Sequence, residues 1–236
     1  MKIISYNIHK NYNTFKTKFI LKEIKQYLLQ HDPDILFLQE IQEVHDQKER
    51  LKIESQLEYL ADIIWPHYSY GKNAVYPNGH HGNAILSKFP ILHWENIDLS
   101  TNRFEQRGLL CAEVKIGSKT VTLLNTHLNL LQSGRNLQSD KIVEKIRSLK
   151  TPWILMGDFN DWNSKLVERI ETQLGVTECF RMAHQFTPPT FPCFAPILSL
   201  DRAFISGLSL DEARLLLDDK SKKLSDHLPI QITVSF

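Results

Sequence analysis

The sequence predicts an α/β sandwich in which two mixed, largely antiparallel sheets pack face to face with helices on their outer surfaces. Two observations support this fold class. Short strand-like runs recur along the whole chain, and a strand followed by a helix-periodic segment occurs once in each half. Between these segments, closely spaced runs separated by Gly, Pro and Asn are typical of antiparallel hairpins.

Length and composition indicate a globular protein that folds as one domain over residues 1–236. The chain is 42% hydrophobic and 23% charged, without repeats or low-complexity runs. Its formal net charge is only +1, which argues against a strong overall electrostatic grip on long nucleic acid. We expect a monomer.

The compartment is predicted from the cysteines and from hydropathy. The three cysteines have no paired spacing, so neither a disulfide framework nor a thiolate zinc site is indicated. The first residues lack the apolar stretch of a secretory signal, and no segment approaches the roughly 18 apolar residues that cross a bilayer. We therefore expect a cytoplasmic protein without stable membrane insertion, and export by a signal-independent route stays open.

In the first half, Ile3 to Ile8 reads as a strand, and apolar residues from Phe15 to Leu28 then recur at helical spacing. This helix should end before Asp32-Pro33. A second buried strand covers 34–40 and ends in Glu40. A charged, periodic segment at 46–64 predicts another helix. Shorter strands are expected around 67–72, 83–87, 91–98, 109–116 and 119–125.

The second half repeats the pattern. A helix over 134–149 leads into a strand over 153–158, and Asn163-Ser164 could cap a helix that reaches Leu174. The Pro- and aromatic-rich segment 176–196 has little periodicity and is expected to be an ordered loop. Strands follow at 199–206, 208–216 and 229–236, with a charged turn over 218–223.

The strand over 153–158 ends in a turn that carries Asp158 and Asn160. Because these residues are two apart, their side chains should point to the same side. A carboxylate and an amide so placed could hold and orient a water molecule. Taken alone, an Asp-Phe-Asn sequence is more often a purely local Asx turn.

Other predicted strands also end in polar residues that are capable of chemistry. Each of these residues has a bland interpretation, as a turn former, a solvated terminus, a core histidine or a cap. Their joint occurrence favours a site, because strand ends on one side of a sheet converge. The residues concerned are Asn7, Glu40, Asn125, His127, Asp201, Asp226 and His227.

Segments that contain these residues resemble the endonuclease/exonuclease/phosphatase superfamily. The resemblance runs in order from Asn7 to Pro229, and it implies a four-layer α/β/β/α sandwich and metal-dependent hydrolysis of phosphoric esters. It is carried by Tyr6-Asn7-Ile8-His9, Leu38-Gln39-Glu40, His81-Gly82-Asn83-Ala84-Ile85-Leu86-Ser87, Gln106-Arg107-Gly108, Asn125-Thr126-His127-Leu128, Gly157-Asp158-Phe159-Asn160 and Ser225-Asp226-His227-Leu228-Pro229.

The resemblance implies a role for each matching residue at the metal and at the attacking water. Glu40 would ligate Mg²⁺ or Mn²⁺, which are hard cations that suit carboxylate oxygens and water. Asn7 and Asp226 would assist around the metal. Asp158 would orient and deprotonate the water, and Asn160 would position that water or the scissile phosphate.

The resemblance also implies the contacts to phosphate. His227, held in one tautomer by Asp201, would stabilise or protonate the phosphoryl group. Arg107 and His127 would hold the non-bridging oxygens, and Asn125 is a further candidate for this contact. In-line attack at phosphorus requires such cationic donors beside a positioned water.

The substrate is left open between nucleic acid and the head group of a phospholipid or an inositol phosphate. Asn125-Thr126-His127 is more similar to secreted DNases, sphingomyelinases and inositol-phosphate phosphatases than to abasic-site endonucleases. Specificity should lie in the loops 73–82, 100–107 and 181–197. Trp162 is a candidate surface for stacking substrate.

One further departure from the family pattern and one competing class remain. Arg202 follows Asp201 where many members carry an aromatic residue, whereas Thr190-Phe191 resembles the Thr-containing motif before that strand. His80-His81 suggests zinc, but adjacent residues of an extended segment point in opposite directions. The competing class is an inactive binding or scaffold protein, which would be expected to lack at least one key catalytic residue.

Overall fold

The computed structural model describes residues 1–15, 17–44, 55–62, 64–77 and 79–236. One sheet has six strands in the order β10-β11-β1-β2-β4-β3. Strands β1 and β2 are parallel, and the other pairs of this sheet are antiparallel. The bounds are β1 Lys2–Asn7, β2 Ile35–Val44, β3 His67–Tyr76, β4 Gly79–Ser87, β10 Ser209–Leu215 and β11 Ile230–Ser235.

The second sheet has five strands in the order β5-β6-β7-β8-β9. Strands β7 and β8 are parallel, and the remaining pairs are antiparallel. Each sheet is therefore mixed and largely antiparallel, as the sequence predicts. The bounds are β5 Ile91–Asp98, β6 Gly108–Ile116, β7 Lys119–His127, β8 Trp153–Asp158 and β9 Asp201–Ser206.

Three apolar clusters show that the layers are stacked helix, sheet, sheet, helix. The central cluster joins Ile3 and Phe37 of the first sheet to Leu123 and Ile154 of the second. Because side chains of a strand alternate between faces, the neighbouring residues pack outward against helices. The outer clusters contain α1 (Leu21–His31) and α2 (Gln56–Ala61) on the first sheet, and α3 (Gln132–Ser148) and α4 (Lys165–Leu174) on the second.

The first helix begins later than its periodicity predicts. It starts at Leu21, whereas Phe15 lies in an exposed loop and Phe19 pairs with Tyr12 in an isolated bridge. The side-chain oxygen of Asn13 accepts hydrogen bonds from the backbone N–H groups of Thr17 and Lys18. This local bonding competes with the helix and explains why the predicted start is wrong. The predicted end before Asp32-Pro33 is confirmed.

Two short helices were not expected. The predicted loop 176–196 contains α5 (Cys179–His184), whose first turn is capped by the Glu178 side chain, and the turn 218–223 leads into α6 (Ser221–Leu224). Six and four residues are too few to show helical periodicity in a sequence. Most of the helix predicted over 46–64 lies outside the described residues, and the part described contains α2.

Three strands continue past the residues at which the sequence predicts their ends, and one of them is β3, which is expected around 67–72 but runs to Tyr76. Strand β2 runs to Val44, and Glu40 lies inside it at a register shift between Leu38 and Ile41, with a left-handed φ of 58°. Strand β7 likewise runs through Asn125 to His127. Within the described ranges, no helix has the length and apolar character needed to cross a membrane.

Candidate active site

Polar side chains from both sheets meet at one edge of the sandwich. The pairing of β7, β8 and β9 places His127, Asp158 and Asp201 side by side on neighbouring strands. Asn7, at the end of β1 in the other sheet, donates from Nδ2 to Asp158 Oδ2 at 3.0 Å. This hydrogen bond joins the carboxyl end of β1 to that of β8, where the sequence predicts a site.

Asp158 is buried and held rigidly by its own turn. Its Oδ1 accepts from the backbone N–H of Asn160 at 3.0 Å, and Asn160 adopts a left-handed φ of 48°. The Asn160 amide in turn donates to the carbonyl of Leu128 at 2.9 Å. Burial, reinforced by the charge of Asp201, raises the pKa of Asp158 to about 6, although His227 opposes this shift. Such a carboxyl group can take up and release a proton near neutral pH.

His227 lies beside Asp158 and is held by Asp201. Its Nδ1 donates to Asp201 Oδ2 at 2.9 Å, and its Nε2 lies 3.6 Å from Asp158 Oδ2. Burial alone would lower the pKa of His227, but the charges of Asp201 and Asp158 prevail and raise it to about 10. His227 is therefore an imidazolium cation at neutral pH.

Thr190 and Phe191, which precede Asp201 in the sequence, hold the Asp201–His227 pair in place. The Thr190 hydroxyl accepts from the backbone N–H groups of Leu200 and Asp201, at 3.2 Å and 3.3 Å. The ring of Phe191 lies 5.1 Å from the ring of His227. The Thr-Phe pair noted in the sequence thus holds both members of the Asp201–His227 pair.

His127 lies on the other side of Asp158 and has the opposite protonation. Burial, together with the positive charges of Arg107 and His227, lowers the pKa of His127 well below its usual range. Arg107 Nη1 lies 3.4 Å from His127 Nδ1, and since a guanidinium can only donate, Nδ1 must accept. The remaining ring proton is then on Nε2, which lies 3.4 Å from Asp158 Oδ2.

Comparison with known proteins identifies the family of this chain. A model described as the Endonuclease/Exonuclease/phosphatase family matches residues 4–227. This chain belongs to that family. The uncharacterized protein YbhP of Escherichia coli K12 is 36% identical over 241 residues, which cover 99% of this chain and 95% of YbhP.

Solved structures of the Endonuclease/Exonuclease/phosphatase family share the fold. A family member from Beutenbergia cavernae has a TM-score of 0.84 at 17% identity, covering all of this chain and 71% of that one. D. rerio TDP2, complexed with a single-stranded DNA product, gives 0.77 at 21% identity, covering 100% of this chain and 99% of that one. The Bacteroides thetaiotaomicron mannosyl-6-phosphatase Bt3783 gives 0.76 at 19% identity, with both chains fully covered.

The residues that a family metal would use are oxygen donors with solvent access. The side chains of Glu40 and Asp226 are 21% and 27% exposed, and Glu40 Oε1 lies 3.9 Å from His127 Nδ1. Asn7 already accepts from the backbone N–H of His9 and donates to Asp158. Among the described residues no three His, Cys, Asp or Glu side chains form a preformed metal cage. Mg²⁺ needs none, since it keeps several waters and binds one or two carboxylates with substrate phosphate, so Glu40 and Asp226 fit it.

Asn125 lies away from the mouth of the site. It is fully buried, its amide nitrogen donates to the carbonyls of Leu38 and Ala84, and its oxygen accepts from Gln39. These bonds run from β7 to β2 and β4, so Asn125 links the two sheets. We leave it out of the phosphate contacts proposed below.

Arg202, His80 and His81 are also engaged in contacts with neighbouring residues. Arg202 is buried and donates to the Asp161 carbonyl and the Ser164 hydroxyl, which lie beyond the turn that carries Asp158 and Asn160. His80 Nδ1 lies 2.9 Å from the Tyr70 hydroxyl, whereas the His81 ring stacks on Tyr76. The two histidines thus have separate surroundings.

Sequence reasoning considered His81 within a family motif and as half of a zinc pair, but it did not single out Lys10. Lys10 follows Asn7 in a left-handed turn, with φ 55°. Burial, followed by the charge of Lys10, lowers the pKa of His81 to about 4, while the carboxylate of Glu40 opposes this shift. The sequence signal for Lys10 was its proximity to the motif that contains Asn7.

Proposed function

We propose that the protein is a Mg²⁺- or Mn²⁺-dependent hydrolase of phosphoric esters that acts as a phosphodiesterase. One observation carries the proposal. Asp158, with a pKa of about 6, lies between a neutral His127 and a cationic His227 at the edge where the two sheets meet. Groups whose environments separate their pKa values in this way divide acid and base roles between them.

Asp158 acts as the general base in this proposal. Asn7 and the Asn160 N–H hold the carboxylate, so its orientation does not change when a water molecule approaches. The imidazole nitrogens lie 3.4 Å and 3.6 Å from Oδ2, distances longer than ordinary hydrogen bonds, so neither histidine binds Oδ2 tightly. Oδ2 accepts the proton of the water as it attacks phosphorus in line with the leaving oxygen.

Donors beside the base hold the phosphoryl oxygens. His227, oriented by Asp201, directs Nε2 towards the reacting group and stabilises or protonates it. Arg107 and His127 contact the non-bridging oxygens from the opposite side. Asn160 positions the water or the phosphate.

Glu40 and Asp226 would hold the metal, and Asn7 would act as a positioning residue because it contacts Asp158. When bound, Mg²⁺ or Mn²⁺ supplies a Lewis acid for the charge that develops on the phosphoryl oxygens. Glu40 is suited to this role because its left-handed backbone at the strand bulge re-aims its side chain.

The similar structures support phosphoric ester hydrolysis without fixing its substrate. One of them holds a single-stranded DNA product, and another is described as a mannosyl-6-phosphatase. Either nucleic acid or the head group of a lipid or small molecule is thus compatible with the fold. The surface described in the next section favours the lipid.

The test is hydrolysis of a soluble bis-aryl phosphodiester with Mg²⁺ or Mn²⁺ and with EDTA. We expect EDTA to abolish turnover, and Glu40→Gln to weaken Mg²⁺ binding in calorimetry and lower turnover at least about 10²-fold. Glu95→Gln is the matched control, since Glu95 is a surface carboxylate paired with Lys145. Folded Glu40→Ala, Asp158→Ala and His227→Ala proteins with near-normal turnover would show that the catalytic roles are wrongly assigned. Absence of turnover and of Mg²⁺ binding in the wild-type protein would instead favour an inactive scaffold.

A further inference from the structure

Exposed hydrophobic side chains are concentrated at the edge of the sandwich that carries the site. Among the described residues, the six most exposed large hydrophobic side chains are 62–82% exposed. All six lie in loops at this edge, and we call them the apolar rim. They are Phe15, Phe104, Leu130, Leu131, Trp162 and Ile197.

One side of the apolar rim lies next to His227. Phe191, whose ring is 5.1 Å from His227, begins a loop that closes by pairing with Leu198. This loop exposes Ile197 and also Phe194, whose ring stacks on Phe15 at 6.2 Å. Two loops that are far apart in the sequence thus present apolar groups together.

The other side of the apolar rim lies next to Arg107 and Asn160. The loop that contains Phe104 is connected to Leu130, because Glu105 accepts from the Leu130 N–H at 3.2 Å and lies 3.6 Å from Arg107. Trp162 comes two residues after Asn160. Exposed hydrophobic groups therefore flank the catalytic groups on both sides, and such clusters mark interaction surfaces.

Charge in these loops leans positive, since Lys10 and Lys18 lie in the loop that contains Phe15. The Arg103 guanidinium lies over the Phe104 ring at 4.9 Å and is exposed. Glu105, the carboxylate of the same loop, is engaged by Arg107 and by a backbone N–H. Neither 128–131 nor 191–198 contains a charged residue. An apolar surface with an exposed cation suits a membrane that contains anionic lipid.

We propose that the apolar rim docks reversibly on a phospholipid bilayer, so that the phosphodiester of a lipid head group reaches Asp158 and His227. This inference rests on the proposed function and names its substrate class. Nucleic acid is less suited to this surface. Three of the six side chains are aliphatic and offer no stacking face, and a groove for single strands would also need more cations along the backbone path.

The experiment measures co-sedimentation with vesicles made of equal parts phosphatidylglycerol and phosphatidylcholine, using the full chain with Asp158→Asn to prevent turnover. We expect this protein to bind. Adding Leu130→Ser and Leu131→Ser should lower the partition constant at least about tenfold, since two exposed apolar groups are lost. Leu92→Ser with Leu137→Ser is the matched control, because these residues are 57% and 59% exposed but lie on β5 and α3, outside the rim loops.

A second pair of variants, Phe104→Ser and Ile197→Ser, keeps the test decisive if the first pair fails to fold. In the active protein, the ratio of vesicle turnover to soluble diester turnover should fall with each rim variant.

Absence of vesicle binding, or equal loss in the control pair, overturns the docking surface even if the soluble diester is hydrolysed. Rim-dependent binding of single-stranded DNA without vesicle binding would assign the surface to nucleic acid. Vesicle binding without hydrolysis of any ester would support docking and refute the proposed function.

Discussion

Asp158 and Asp161 lie three residues apart, are both buried and are both close to other charged groups, yet they differ in what they contact. Asp161 Oδ2 accepts from the backbone N–H groups of Leu166 and Val167, at 2.9 Å and 3.0 Å, and so caps α4. Asp158 Oδ2 instead faces two imidazoles at 3.4 Å and 3.6 Å. One carboxylate completes a helix, and the other faces two histidines of the candidate site.

Their neighbours show the same difference. Beside Asp161, buried Arg202 donates to the Asp161 carbonyl, and the charge of buried Glu178 opposes the lowering of the pKa of Arg202 by burial. Glu178 itself accepts from the backbone of Arg181 and the hydroxyl of Thr187. Its partners stabilise local structure at the start of α5. Burial and charge alone therefore do not identify a site. A site is indicated where ionisable side chains face one another without being hydrogen-bonded to each other.

The largest expected difference between the two regions is in turnover. Asp158→Asn should lower hydrolysis of a soluble phosphodiester at least about 10²-fold, because an amide cannot accept the proton of the attacking water. Asp161→Asn should retain most of the turnover when assayed at a temperature where circular dichroism shows it folded. An equal loss in both folded variants would show that the contrast between the two carboxylates is mistaken.

The pH dependence of turnover should show the ionisation of Asp158 and of His227. Asp158 acts as a base only when ionised, so kcat/KM should rise about tenfold per pH unit below its pKa of about 6. His227 acts as a cation, so activity should fall again as pH rises through about 10. A rate profile over this range, with a control for enzyme stability, measures both limbs.

Asp201→Asn should sharpen that assignment. Among the influences that raise the pKa of His227, the charge of Asp201 is the strongest, so its removal should move the basic limb to lower pH. NMR titration of the His227 ring should show the same downward shift. If the basic limb stays in place, a group other than His227 produces it.

Asp161 should matter more for stability than for chemistry. Asp161→Ala removes the acceptor for two N–H groups at the start of α4, and loss of such a cap costs about 1–2 kcal/mol of unfolding free energy. Urea denaturation measures this. Asp140→Ala is a suitable control, because Asp140 is an exposed carboxylate that pairs with Arg169. Equal effects of the two substitutions would argue against the capping role.

Much of the fold was predictable because it depends on periodicity. The strands around Asp158 and the helix after Ser164 follow apolar patterns that survive in the structure. The site could be anticipated because strand ends converge, and Asp158, His127 and Asp201 do lie on adjacent strands. Their roles in catalysis stay predictions.

Other features depend on contacts that no periodicity records. Glu40 reads as a strand end, but a bulge continues β2 beyond it. Asn125 follows a strand in the sequence as the site residues do, yet its amide nitrogen donates to carbonyls of the other sheet. Long-range contacts of this kind also gather the apolar rim from five loops whose apolar residues look isolated in the sequence.

His227 should also contribute to stability in a way that depends on pH. Its pKa is raised in the folded state, so its stabilising contribution is fully present below the unfolded pKa of about 6.5 and is lost as pH rises through about 10. The unfolding free energy of the wild-type protein should therefore decline over this window, and His227→Gln should decline less. Urea titrations at the two ends of the window measure both slopes. Identical slopes would mean that the Asp201–His227 pair is not charged in the folded protein, which would remove the cation on which the proposed chemistry depends.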